Sequence, residues 1–229
     1  MQLLDLLPLQ LAASAGTVDG LDTPRLVAAG FTLLQRSAPL VRALTGKRSV
    51  ILLPDAAHFL TALAASDGRG ALLLNPNADP AAIAVQLRAA NVGAIFTTEA
   101  LLPMLPSGTV SVLLDDAPTS ARVVINGRDP QPIDLGSHFG LELTGDVEAE
   151  GREEECLAQC LGKTAESPTI TTYTHRDLIS RARAAAIIAQ LRSGDHQQAR
   201  AAIWEIDVLV ADFLAPLIAG CRVTTRISD

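Results

Sequence analysis

Short apolar runs alternate with helical stretches along this chain. Residues 49–53, 71–74, 94–97 and 110–114 are short, largely apolar runs, too short for helices and bounded by Pro, Gly, Asn or Asp. That is the pattern of strands buried on both faces. Between them, 58–66 and 81–90 have helical spacing, and 99–104 reads as a short helix. Upstream, Thr23 and Pro24 suit an N-cap and a first helical residue, followed by Leu26, Val27, Phe31, Leu33 and Leu34. Pro39 interrupts this helix and Gly46 stops it after Leu44. Strand and helix exchanged through short connections predict an α/β protein: three layers, α/β/α, around a mostly parallel sheet.

The second half is less regular. Residues 123–143 read as short strands and turns, with a turn signal at Asn126-Gly127 and a strand-like run at 140–144. Residues 156–161 suit a buried strand or helical turn, and 169–174 are rich in β-formers. His175-Arg176-Asp177 opens a helix over 178–191, 202–207 reads as a strand, and 208–219 as a helix stopped by Gly220. The implied organisation is an α/β subdomain with a parallel sheet over 1–144, an acidic linker or loop over 145–155, and a second α/β segment over 156–229 packed on the first.

Composition narrows the function classes. The chain has 229 residues, of which 48% are hydrophobic and only 3% aromatic, so Ala, Leu, Val and Ile must fill the interior. A net charge of −7, without a basic stripe or interleaved aromatics, argues against nucleic acid as a partner. The acidity is partly local, with six carboxylates and one arginine between Asp146 and Glu155, the composition of a solvated loop. Cys156, Cys160 and Cys221 make an odd count without zinc-ligand spacing, so free buried thiols are expected and no metal site. The apolar start lacks a basic n-region and is broken by Asp5 and Pro8, and no stretch is long enough to span a membrane. A soluble, cytoplasmic protein is expected.

Candidate chemistry is sparse. Pro54-Asp55-Ala56-Ala57 follows the first strand of the alternating series where a dinucleotide fold has its glycine fingerprint. Gly162-Lys163-Thr164 lacks the earlier glycine of a P-loop, because position 157 is Leu157. No nucleophile elbow is present. Asp115-Asp116 suits a turn and cap, His58 lies on a helix next to Phe59, half-buried or at the surface, and His138 and His196 have no paired acid at a suggestive distance. No catalytic residue is assigned.

One segment points further. Residues 162–175 read GKTAESPTITTYTH and resemble the Thr/Ser/Gly-rich phosphate loop of the adenylate-forming superfamily, which includes acyl-CoA synthetases, nonribosomal adenylation domains and luciferases. Thr164, Pro168, Thr174 and His175 match the motif. Lys163, Glu166 and Ile170 stand where it has glycines, and Thr169 where it has lysine. The resemblance extends to residues 50–63, to Gly70-Ala71-Leu72-Leu73-Leu74-Asn75-Pro76, to 79–97 and to 215–223. In that family an aromatic-His element precedes the last helix; Trp204-Glu205 stands there, without the histidine. The resemblance covers the first half of the family's large domain. It implies a degenerate nucleotide site at Lys163, Thr164, Thr174 and His175, and a ligand-pocket wall at Trp204 and Glu205.

A phosphate cradle needs bare backbone amides in positive-φ geometry and a compensating cation. Here glycines give way to bulk and a carboxylate, and the lysine to a neutral hydroxyl. The expectation is therefore a truncated, non-catalytic domain of this kind. It would act as a ligand-binding or protein-interaction module for an acyl or small carboxylic ligand, a partner protein or a second copy of itself, without a cofactor. The alternative is an acyl-adenylating ligase component using ATP and magnesium, completed by a partner chain. A third reading is an unrelated α/β binding domain.

Overall fold

A computed structural model describes residues 16–66, 69–125, 128–136, 155–161, 168–200 and 202–225. The Asn126-Gly127 turn, the run at 140–144, nearly all of the acidic stretch and loop residues 162–167 lie outside them.

β1 (Thr17–Val18) and β2 (Leu21–Asp22) lead into helix α1 (Thr23–Arg36). Ser37 then caps α2 (Ala38–Leu44), its hydroxyl accepting from Leu40 N–H, so the expected break near Pro39 is a true helix restart. β3 (Arg48–Ile51), α3 (Ala56–Ala65), β4 (Ala71–Leu73), α4 (Pro80–Ala89) and β5 (Val92–Thr97) follow. A 3₁₀ turn at Glu99–Met104 precedes β6 (Val110–Leu113), β7 (Ser120–Ile125) and β8 (Gln131–Asp134). The chain continues with β9 (Glu155–Leu161), β10 (Thr169–Thr174), α5 (His175–Ile188) and β11 (His196–Gln198). It then forms α6 (Ile206–Val208), a π-helical turn (Leu209–Leu214), α7 (Ala215–Ala219) and β12 (Arg222–Thr224).

Eight strands form the main sheet in the order β10-β9-β4-β3-β5-β6-β7-β8. The pairs from β9 through β6 are parallel, and the flanking pairs β10/β9, β6/β7 and β7/β8 are antiparallel. The sheet is thus mostly parallel, as expected. β9, from the second segment, lies beside β4 of the first. A smaller sheet, β11-β12-β1-β2, joins the two ends of the described chain.

Strand residues alternate between two cores, as a period of two requires. Ile51, Leu73, Phe96, Val112 and Leu157 face one core, shared with α1, α3, α5 and the π-helical turn. Val50, Leu72, Ile95 and Ala158 face the other, closed by Ile83 and Leu87 of α4. Helices therefore cover both faces, giving the three layers. Within the larger core, Phe59 of α3 meets Phe213 of the π-helical turn edge to face, with ring centroids 5.8 Å apart.

One expected element is different. Residues 202–207 read as a strand, but Glu205 N–H donates to Ala202 carbonyl at 2.9 Å, closing a turn before α6. The strand lies upstream at β11, whose residues His196, Gln197 and Gln198 pair in parallel with Arg222, Val223 and Thr224. Its polar, exposed edge position leaves no apolar alternation to detect. No helix among the described residues is long and apolar enough to cross a membrane.

Candidate functional site

The candidate residues sit on or beside the hairpin β9–β10. Ile170 pairs with Cys160 and Tyr173 with Leu157, a register that ends with Thr174 opposite Glu155 after a bulge. The connecting residues, including Lys163, Thr164 and Glu166, lie outside the described residues. Thr169 opens β10 as an exposed, neutral side chain. Neither β9 nor β10 carries a lysine or arginine.

Thr174 and His175 lie at the opposite end of this hairpin. β10 runs antiparallel for six residues, or roughly 17 Å at the usual rise per residue. Thr174 is thus separated from Thr169, where the motif has its lysine, by the length of the strand. At its end, Thr174 caps α5: its hydroxyl accepts from Asp177 N–H at 3.1 Å, and the Asp177 carboxylate accepts from Thr174 N–H at 3.3 Å. This is a reciprocal capping box. His175 is buried behind it, 2% exposed. The conspicuous Thr-His pair therefore starts a helix and packs a core. Thr174→Ala is expected to lower stability by about 1 kcal/mol, the usual worth of such a cap, measured by urea denaturation.

Trp204 and Glu205 come back to the sheet. Gln159 of β9 donates through Nε2 to Trp204 carbonyl at 3.4 Å. Trp204 is half-buried and packs against the larger core, whereas Glu205 is exposed at the start of α6. Arg181 of α5 lies over the Tyr173 ring, 5.8 Å from its centroid, and pairs with Asp207. The hairpin, α5 and α6 are thus tied together, and Arg181, the cation over Tyr173, is engaged by a carboxylate.

Other polar groups beyond the strand ends are also occupied. Asp115 accepts from Glu99 N–H at 3.0 Å and pairs with Arg122 at 2.7 Å. Arg122 also reaches Glu99 at 2.8 Å. Asp115 is therefore a cap and ion-pair partner, and no group of three metal-ligating side chains occurs among the described residues. Asp55 caps α3 through His58 N–H, and its other oxygen bonds His58 Nδ1. This pair was missed because its acid lies three residues ahead of the histidine, where it looks like a cap alone. All three cysteines are free. Burial pushes the Cys156 thiol up to about 12 and raises Cys160 and Cys221, so all three are neutral thiols near neutrality and poor nucleophiles.

No family model and no curated protein matches the chain. Solved structures do match. A fatty acyl CoA synthetase of Mycobacterium tuberculosis superposes over 97% of this chain and 44% of its own, with a TM-score of 0.69 at 14% identity. A nonribosomal peptide synthetase bound to α-methyl-L-serine-AMP matches over 98% of this chain and 24% of its own, with a TM-score of 0.72 at 17% identity. The O-succinylbenzoate coenzyme A synthetase of Bacillus subtilis, in complex with ATP and magnesium, matches over 96% of this chain and 56% of its own, with a TM-score of 0.64 at 13% identity. The chain thus has the fold of the N-terminal part of adenylate-forming enzymes and spans about a quarter to somewhat over half of their length.

Proposed function

We propose that this chain is a non-catalytic relative of the adenylate-forming enzymes, in which the fold serves as a module for binding a small carboxylic ligand or a partner protein. The observation that carries this reading is a hairpin without a basic side chain on either strand, with neutral Thr169 where the family motif places its lysine. Glu166 adds a carboxylate to the connecting loop. A triphosphate brought there would meet like charge at Glu166 and find only Lys163, six residues before the motif's lysine position, to compensate it. Trp204, beside β9, is the proposed wall of a remaining ligand pocket.

Isothermal titration with ATP and magnesium tests the proposal. No binding is expected in the micromolar range. Micromolar affinity that is lost in Lys163→Ala, or pyrophosphate exchange with any carboxylic acid, would overturn it and favour the adenylating ligase component.

A further inference from the structure

A cavity of about 730 Å³ opens at the N-terminal ends of the parallel strands. It lies where α1 and α2 meet the starts of β3, β4 and β5. Its size is that of a small-molecule site. Two chemically distinct surfaces line it. Leu34, Val41 and Leu44 form an apolar wall, and Lys47, Arg48 and Ser49 form a polar floor.

The floor carries an excess of positive charge. Lys47 and Arg48 line the cavity against Glu155, the one carboxylate among its described lining residues. Arg48 is held in place, donating to Gly70 carbonyl at 2.7 Å and to Glu155 at 2.8 Å. Lys47 makes no ion pair among the described residues. Ser49 supplies an independent sign of a ligand. It is 1% exposed, and its Oγ has no hydrogen-bond partner among the described residues. A buried hydroxyl without a partner is costly and calls for an occupant that can bond to it. On the facing wall Val41, an apolar residue, remains 45% exposed. We infer that this cavity binds a small organic anion, with its charged head between Lys47 and the Ser49 hydroxyl and its hydrocarbon body on Val41, Leu44 and Leu34. The site shares Glu155 of β9 with the hairpin but includes neither Thr169 nor Trp204, so it stands or falls independently of the proposed function.

Octanoate titrated into the ¹⁵N-labelled chain is the test. The expected result is saturable shifts of the Gly46, Gly70 and Asn91 amides, at least tenfold weaker binding in Lys47→Glu, and several-fold weaker binding in Ser49→Ala. Ser49→Ala removes an unpartnered group, so its unliganded stability should be unchanged or higher, which separates a ligand contact from a structural role. Shifts confined to residues around Trp204, octanol binding as tightly as octanoate, unchanged affinity in both variants, or no shifts at all would each overturn the inference.

Discussion

Gly30→Ala is expected to destabilise the protein by about 2 kcal/mol or more, and Gly30→Leu to prevent folding, although helix propensity predicts the opposite sign for alanine. Gly30 is in the middle of α1, where alanine is favoured over glycine by about 1 kcal/mol. The opposing effect is steric. A Cβ at position 30 would stand 2.3 Å from Thr61 carbonyl oxygen and 2.6 Å from Ala64 Cβ on α3. Both neighbours are too close to give way as flexible side-chain ends would. The helices must separate, and that would also strain the bond from Thr61 Oγ1 to Leu26 carbonyl, 3.2 Å long in a fully buried place. Overpacking of this kind costs about 1–3 kcal/mol, and more where backbone must move. Urea denaturation decides between the two effects. A higher midpoint for Gly30→Ala would show that α1 and α3 do not meet this closely.

The close contact at Gly30 was not legible in the sequence, because one glycine in a helical pattern carries no address for its partner. The parallel core was legible for the converse reason. Val50, Leu72 and Ile95 point to one core and Ile51, Leu73 and Phe96 to the other. Strands covered on both faces read as unbroken apolar runs, and the intervening helices fix parallel connection. The polar β11 edge strand left no apolar alternation to read, and residues 202–207 were misread as a strand because their apolar residues suit one. The π-helical widening at 209–214 was hidden as well, since Leu209, Val210, Phe213 and Leu214 are also spaced as in an α-helix.

The candidate site was legible in residue type and not in space. The missing lysine is a statement about one side chain: Thr169 begins an edge strand with no cation on it. The motif's continuity was misleading. Thr174 and His175 follow Thr169 closely in sequence, yet β10 carries them to its other end, where Thr174 caps α5 and His175 is buried. The anion cavity was invisible because its walls come from α1, α2 and the starts of several strands. None of these segments has a motif, and only the fold brings Lys47, Ser49 and Val41 together.

Phe213→Ala is the second large effect, with an expected loss of about 3–5 kcal/mol. Phe213 is 0% exposed, in the π-helical turn, and packs edge to face on Phe59, 1% exposed in α3. The edge-to-face pair contributes about 0.5–1.5 kcal/mol beyond its burial. The remainder comes from lost transfer energy and from a cavity that Leu209 and Leu214 cannot fill without moving the turn. For a chain of this size each kcal/mol lowers Tm by about 2–4 °C, so a fall of roughly 6–20 °C is expected. The companion variant Phe59→Ala and the double variant complete a cycle. Removal of one ring should make removal of the other less costly by about 1 kcal/mol, because the shared contact can be lost only once. Strict additivity would mean that the rings do not touch. A loss below 1 kcal/mol for Phe213→Ala would place that ring at the surface and detach the 206–219 helical segment from the core that α3 and the sheet build.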